Sequence, residues 1–286
     1  MKKIVIPIVL LLCMLTTGCR SIDKPAQIVT TTLPIYEFTS EICEGTNITV
    51  KKLITQDVSC VHDYTLNVDQ LRIIESAELV ICNGMGLDTF VEDILPANKS
   101  IIQIAENPHT EENHHDHHDH SEHDPHIWLD PNEASEMCRI IFQGLTEHYP
   151  KHREIFAKNL AALNEKLESL DTYGKEQLSS LSCRKIITFH DGFSYLAEAY
   201  DLTILKAIEE EAGSEASAAQ LKDLITLVQE NDLKAIFTEK NGSTSAAEII
   251  ARETGAKIFT LDMAISGESY FDAMYHNIDT LKEALG

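Results

Sequence analysis

Basic residues are scarce: 23 Lys and Arg stand against 46 Asp and Glu, a formal net charge of −23 at pH 7. That balance argues against nucleic acid and anionic lipid surfaces as partners. Cysteine is sparse too, with 7 in the chain and no C-x-x-C pair. Neither a zinc ribbon nor a dense disulfide scaffold is indicated. Beyond Cys19 the cysteines are Cys43, Cys60, Cys82, Cys138 and Cys183, scattered and odd in number, so the pairing of any single bridge stays open. No H-E-x-x-H and no G-x-S-x-G occurs, so the common signatures of a zinc protease and of a serine hydrolase are missing. Residues 4–15 are apolar, but the run is too short to span a bilayer comfortably.

What is present at the start reads as a processing segment. Lys2 and Lys3 precede the apolar run, and Thr16-Thr17-Gly18-Cys19 follows it, which predicts a signal peptide over residues 1–18 and an exported chain. A cysteine directly after a small residue here resembles the lipobox of bacterial lipoproteins. That likeness implies cleavage before Cys19, lipidation of its thiol and a chain anchored to the outer face of the cell membrane. Ordinary signal cleavage with an incidental Cys19 is the alternative. Residues 20–27 form a short polar tether.

Apolar runs alternate with helical patterns in two stretches. Strands are expected at residues 27–33, 48–54, 79–83 and 101–104, with helices near 35–44, 68–77 and 87–95 between them. The second stretch repeats the pattern: strands at 185–189, 203–208, 234–238 and 257–261, and helices from 193, at 216–231, at 245–254 and at 270–285. This β-α alternation predicts an α/β fold of two lobes with mostly parallel sheets. Between them, apolar residues at Ile155, Phe156, Leu160, Leu163, Leu167 and Leu170 follow the helical period, with Gly174 the only interior breaker. The pattern predicts one rigid linker helix over 150–181, about 45 Å long at 1.5 Å per residue. The expected organisation is therefore a signal peptide at 1–18, an N-terminal lobe at 19–149, the linker at 150–181 and a C-terminal lobe at 182–286.

Eight of the 13 histidines fall between His109 and His126, in HTEENHHDHHDHSEHDPH. Neutral imidazole is the usual protein ligand for zinc and its neighbours, and carboxylates suit the same ions. A tract this polar cannot bury apolar surface, so a mobile loop over 109–126 with weak auxiliary metal sites at His114, His115, His117, His118, His120 and His123 is expected. Scavenging or sensing of supply, buffering, or a dispensable spacer are its competing roles. Elsewhere His62, His126, His190 and Asp262 sit where strands end or loops begin. Ligands in open parallel sheets gather beyond the carboxyl ends of strands. Three imidazoles and one carboxylate converging there would make a four-coordinate site that suits zinc. A lone histidine after a strand is more often a helix cap or a surface residue, and it is their joint placement that points to a metal. Glu239, near the same cleft, is expected either to support a ligand or to be solvated, not to be a ligand itself, while His148, His152 and His276 lie on helical patterns and are expected at the surface.

Several segments together resemble the extracytoplasmic solute-binding proteins of zinc and manganese ABC importers, the cluster A-I metal receptors. They are VTTTLPIYEF, VHDYTLNVDQLRIIESAELVICNGMGLDTFVEDIL, HDPHIWLDP, TFHDGFSYLAEAYDL, ETGAKIFTLD and YHNIDTLKEAL, in the family's order over nearly all of the mature chain. The resemblance implies two β/α lobes on one long rigid helix, with metal ligands at His62, His126, His190 and Asp262. Val61 and Met263 stand where the family often has proline, and water or another carboxylate is the alternative to Asp262. Family members that carry manganese tend to have a carboxylate where this chain has His190. The implied cargo is therefore Zn2+ more than Mn2+, delivered by a monomeric receptor to the membrane subunit of an ABC permease. A manganese or iron receptor of the same family is the nearest alternative, and an exported zinc hydrolase a more distant one.

Overall fold

A computed structural model describes residues 27–59, 61, 64–92, 94–95, 99–105, 124–208 and 216–286. The expected signal peptide, Cys19, Cys60, His62 and the histidines from His109 to His123 lie outside these residues.

Two four-stranded sheets carry the fold, and every strand pairing in them is parallel. The first holds β1 (Ile28–Thr30), β2 (Val50–Lys52), β3 (Leu79–Gly84) and β4 (Ser100–Ala105), in the order β2-β1-β3-β4. The second holds β5 (Lys185–Thr188), β6 (Thr203–Ala207), β7 (Ala235–Glu239) and β8 (Lys257–Leu261), in the order β6-β5-β7-β8. The two orders are the same winding. In each, the chain leaves the first strand to one side and then crosses to the other, creating a switch point between the first and third strands. The central strands are buried on both faces, as their uninterrupted apolar runs require.

The helices begin and end where the sequence chemistry permits. Among those flanking the first sheet, α1 (Leu33–Ile42) carries proline in its first turn, and α2 (Val68–Ser76) has a capping box between Asn67 and Gln70. The next, α3, is only Thr89–Glu92. The start falls later than the expected residue 87, because Gly84, Met85 and Gly86 all take positive φ and the Leu87 amide closes a turn on Gly84 O. Around the second sheet lie α6 (Ser194–Ala199), α7 (Ala218–Glu230), α8 (Ser245–Thr254, closed by Gly255 in the left-handed region) and α9 (Tyr270–Leu285).

Two helices stand between the sheets. Asp130 accepts a hydrogen bond from the Asn132 amide and Pro131 follows it, starting α4 (Pro131–His148), a helix the strand-and-helix reading passed over. After a 3-10 turn at Pro150–His152 comes α5 (Arg153–Gln177), 25 residues and about 38 Å long. The helix is shorter than the span 150–181 suggested, and it runs straight through Gly174. A Cβ at Gly174 would fall 2.3 Å from the Tyr200 ring, so glycine there serves close packing and not a break. Nor is α5 a bare strut. It packs on α1, α4 and α9, burying Phe156, Leu163, Leu167 and Leu170.

One apolar cluster runs through both halves, from Ile28 and Phe38 through Trp128 and Phe156 to Tyr270 and Leu285. Directed bonds cross the same boundary. The Leu33 amide donates to Ile265 O (3.1 Å), Trp128 Nε1 to Met263 O (2.8 Å), and the Tyr270 hydroxyl to Trp128 O (2.7 Å). Ser266 Oγ both accepts from Val58 N and donates to Val58 O, each at 3.0 Å. No helix among the described residues is long and apolar enough to cross a membrane.

Candidate metal centre

His126 and His190 come from distant segments and meet edge to face, their ring centroids 5.3 Å apart with an interplanar angle of 80°. Both are buried, at 1% and 5% exposure, which is unusual for imidazole unless it is hydrogen-bonded or ligates. His190 follows β5 and lies beside the switch point of the second sheet. Its Nδ1 is 3.3 Å from Oε2 of Glu239, the last residue of β7 on the other side of that switch point. His126 instead opens the 3-10 turn at Ile127–Leu129. Asp124 Oδ1 accepts from the His126 amide at 3.0 Å and sits 2.8 Å from its Nδ1. Burial alone would raise the Asp124 carboxyl, but the hydrogen bonds and charge of His126 hold it below the ordinary carboxylate value.

Each imidazole thus presents Nδ1 to a carboxylate, buried in Asp124 and mostly shielded in Glu239. Such a contact selects the tautomer with hydrogen on Nδ1, orients the ring and makes Nε2 the basic, metal-seeking nitrogen. Gly192 is what lets the rings approach. A Cβ there would stand 2.7 Å from His126 Nδ1 and 2.7 Å from His190 Cδ2, distances no side chain tolerates. The Trp128 ring closes the far side of His126, edge-on at 5.3 Å.

Asp262 follows β8 and is also buried, at 8% exposure. Its backbone is clamped by Asn277 on α9: Asp262 N donates to Asn277 Oδ1, and Asn277 Nδ2 donates to Asp262 O, both at 2.7 Å. Its carboxylate is spoken for on both oxygens. Oδ1 accepts from Ala264 N at 2.8 Å, and Oδ2 pairs with Lys240 Nζ at 2.8 Å. Among the described residues no three His, Cys, Asp or Glu side chains form a metal-holding group. Of the four residues singled out from the sequence, then, His126 and His190 come together, Asp262 lies at the same sheet edge in the hand of Lys240, and His62 is outside the described residues. Glu239 faces His190 Nδ1 and is mostly shielded from solvent. His148 and His276 are exposed, and His152 is half-buried.

Sequence reasoning missed Asp124, Gly192, Lys240 and Asn277. Asn277 did carry a signal: it is a polar residue in the apolar stripe of α9, with Ala273, Met274, Ile278 and Leu281, where a buried amide must have a structural partner. Cys43, Cys82, Cys138 and Cys183 are unbridged, and burial pushes the Cys43 thiol up to about 12, making it an apolar filler and not a ligand.

Residues 28–284 match the family model described as zinc-uptake complex component A, periplasmic. The chain is 31% identical to the zinc-binding lipoprotein AdcA of Streptococcus pneumoniae over 99% of its own length, but it spans only 61% of that relative. It is 30% identical to the high-affinity zinc uptake system protein ZnuA of Bacillus subtilis, covering 90% of this chain and 87% of that one. Among solved structures it resembles the Zn(II)-bound ZnuA-like domain of Streptococcus pneumoniae AdcA, with a TM-score of 0.76, 30% identity, and coverage of 92% and 99%. With a model match over nearly the whole described chain and a relative matched along most of both lengths, this protein belongs to the zinc-uptake component A family of metal-binding solute receptors.

Proposed function

We propose that this chain is an extracytoplasmic zinc receptor that captures Zn2+ and delivers it to the membrane subunit of an ABC permease. The observation that carries the reading is the buried His126–His190 pair, each ring backed on Nδ1 by a carboxylate. Two neutral imidazoles so held, with His62 and Asp262 completing the set, give three nitrogens and one oxygen, a tetrahedral donor set that suits zinc over manganese. Four protein ligands would leave no position for a reactive water, so a carrier fits this site better than a hydrolase. Because zinc competes with protons for imidazole, capture weakens below about pH 6.

The remaining parts of the reading rest on the sequence. Residues 1–18 direct export, and Cys19 carries the lipid that tethers a monomeric receptor beside its permease. Lobes at 19–149 and 182–286 bracket the helix α5. The tract from His109 to His123 raises the local zinc concentration through many weak contacts before the ion reaches the cleft.

The test is metal content and calorimetric stoichiometry on chain stripped and then refilled, beside a His126→Ala, His190→Ala double variant and a variant lacking residues 113–122. One tightly held zinc per chain, kept by the loop deletion and lost in the double variant, is expected. Tight binding that disappears with the loop and survives the double variant would overturn the reading.

A further inference from the structure

Among the described residues beside Asp262, Lys240 works against a cation. It extends from the end of β7, with its side chain half exposed, and its ammonium stands 2.8 Å from Asp262 Oδ2, where the carboxylate is only 12% exposed. The same ammonium feels Asp57, an exposed acid on the segment leading toward His62. The other Asp262 oxygen is already engaged by Ala264 N. A metal that takes Asp262 must therefore displace the ammonium from Oδ2, share that oxygen with it, or bind the remaining lone pair of Oδ1 with the positive charge still on the same carboxylate. If displaced, the ammonium has water and Asp57 to turn to.

That cost does not fall equally on all ions. Hard Mn2+ draws its binding energy from carboxylate and carbonyl oxygens, whereas Zn2+ draws most of its own from imidazole nitrogen. An internal cation seated on the only carboxylate of the proposed ligand set therefore penalises the oxygen-dependent ion most. We propose that Lys240 is a specificity-determining residue, an internal counter-ion to Asp262 that biases the site toward zinc and against manganese. The inference deepens the receptor reading and rests on it, since it takes Asp262 as a ligand.

The test compares the parent with Lys240→Gln and Lys240→Arg, measuring Zn2+ and Mn2+ affinities of the stripped chain by competition with a chromophoric chelator. Removing a unit charge a few ångströms from the ion is expected to tighten Mn2+ about tenfold and Zn2+ by no more than about threefold, after allowance for solvent screening. The zinc-to-manganese ratio then falls in Lys240→Gln and stays near the parental value in Lys240→Arg, where the charge is kept. A lysine that only braced the fold would change thermal stability without moving that ratio. An unchanged ratio in Lys240→Gln, or an equal fall in Lys240→Arg, overturns the proposal while a zinc-binding parent leaves the receptor reading standing. A parent that holds neither ion overturns both.

Discussion

Gly192→Ala is the sharpest probe of the two-histidine nucleus. The added Cβ would stand 2.7 Å from His126 Nδ1 and from His190 Cδ2, and 2.8 Å from His126 Cε1. Ordinary contact between such atoms is about 3.5 Å, so each ring must retreat by several tenths of an ångström. Neither has room: His126 is wedged between Asp124 and Trp128, and His190 is backed by Glu239. Overpacking of this kind costs about 1–3 kcal/mol of fold stability. The greater effect falls on zinc, because ligand positions count to within about 0.2 Å and displaced support typically lowers metal affinity about 10–100-fold. Two readouts separate these effects: the melting temperature of the stripped chain, and zinc affinity from chelator competition. A variant that melts a few degrees lower and binds zinc at least about tenfold more weakly is expected. Zinc affinity within about twofold of the parent would refute the claim that these two rings face one ion.

Three further outcomes are expected. Asp124→Asn keeps an acceptor for the His126 amide but loses the negative charge at Nδ1; zinc affinity should fall about 10–100-fold at nearly unchanged stability, and an unaltered affinity would remove Asp124 from the site. Trp128 is the only tryptophan and lies 5.3 Å from His126, so zinc titration should produce a saturable change in emission that His126→Ala abolishes; a change persisting in that variant would place the ion elsewhere. Asp88 is fully buried, and desolvation pushes its carboxyl from 3.8 up to about 6. Between those values the folded chain keeps a proton that the unfolded chain gives up, so this group's contribution to stability is greatest at the acid end and falls as pH rises through the window. A shift of about two pKa units corresponds to roughly 3 kcal/mol. Asp88→Asn should therefore gain more in melting temperature over the parent at about pH 7.5 than at about pH 4.5; equal differences would contradict the assignment.

The sheets were legible because each strand is a short apolar run between turn residues, and burial on both faces leaves little else for such runs to do. All eight expected strands appear among the described residues: four are shorter than expected, two longer, one is shifted by a residue and Lys257–Leu261 coincides. What escaped has a common cause. Leu87 and Val91 have helical spacing, but the positive φ angles at residues 84–86 are a backbone matter that side-chain periodicity does not report. The α4 start, Asp130-Pro131, is readable from its cap chemistry, at the end of the segment HDPHIWLDP. In the site, His190 and Asp262 could be placed from strand ends. Gly192, Lys240 and Asn277 could not, because each owes its role to atoms that meet only in the folded chain: two rings, a carboxylate after the neighbouring strand, and a backbone fifteen residues away.

The bonds that cross between the halves have a consequence for how the site can move. Trp128 to Met263, Tyr270 to Trp128, and the double exchange between Ser266 and Val58 fasten the very segments that bear or flank His126, Asp262 and the approach to His62. Swinging the halves apart would rupture all of them along with the edge-to-face Phe38–Tyr270 contact, at a cost of about 1 kcal/mol per bond before any apolar area is counted. A jaw-like gape is therefore a rare excursion. Any motion at the His126–His190 pair should therefore come from shifts within individual loops, with the two halves kept in register.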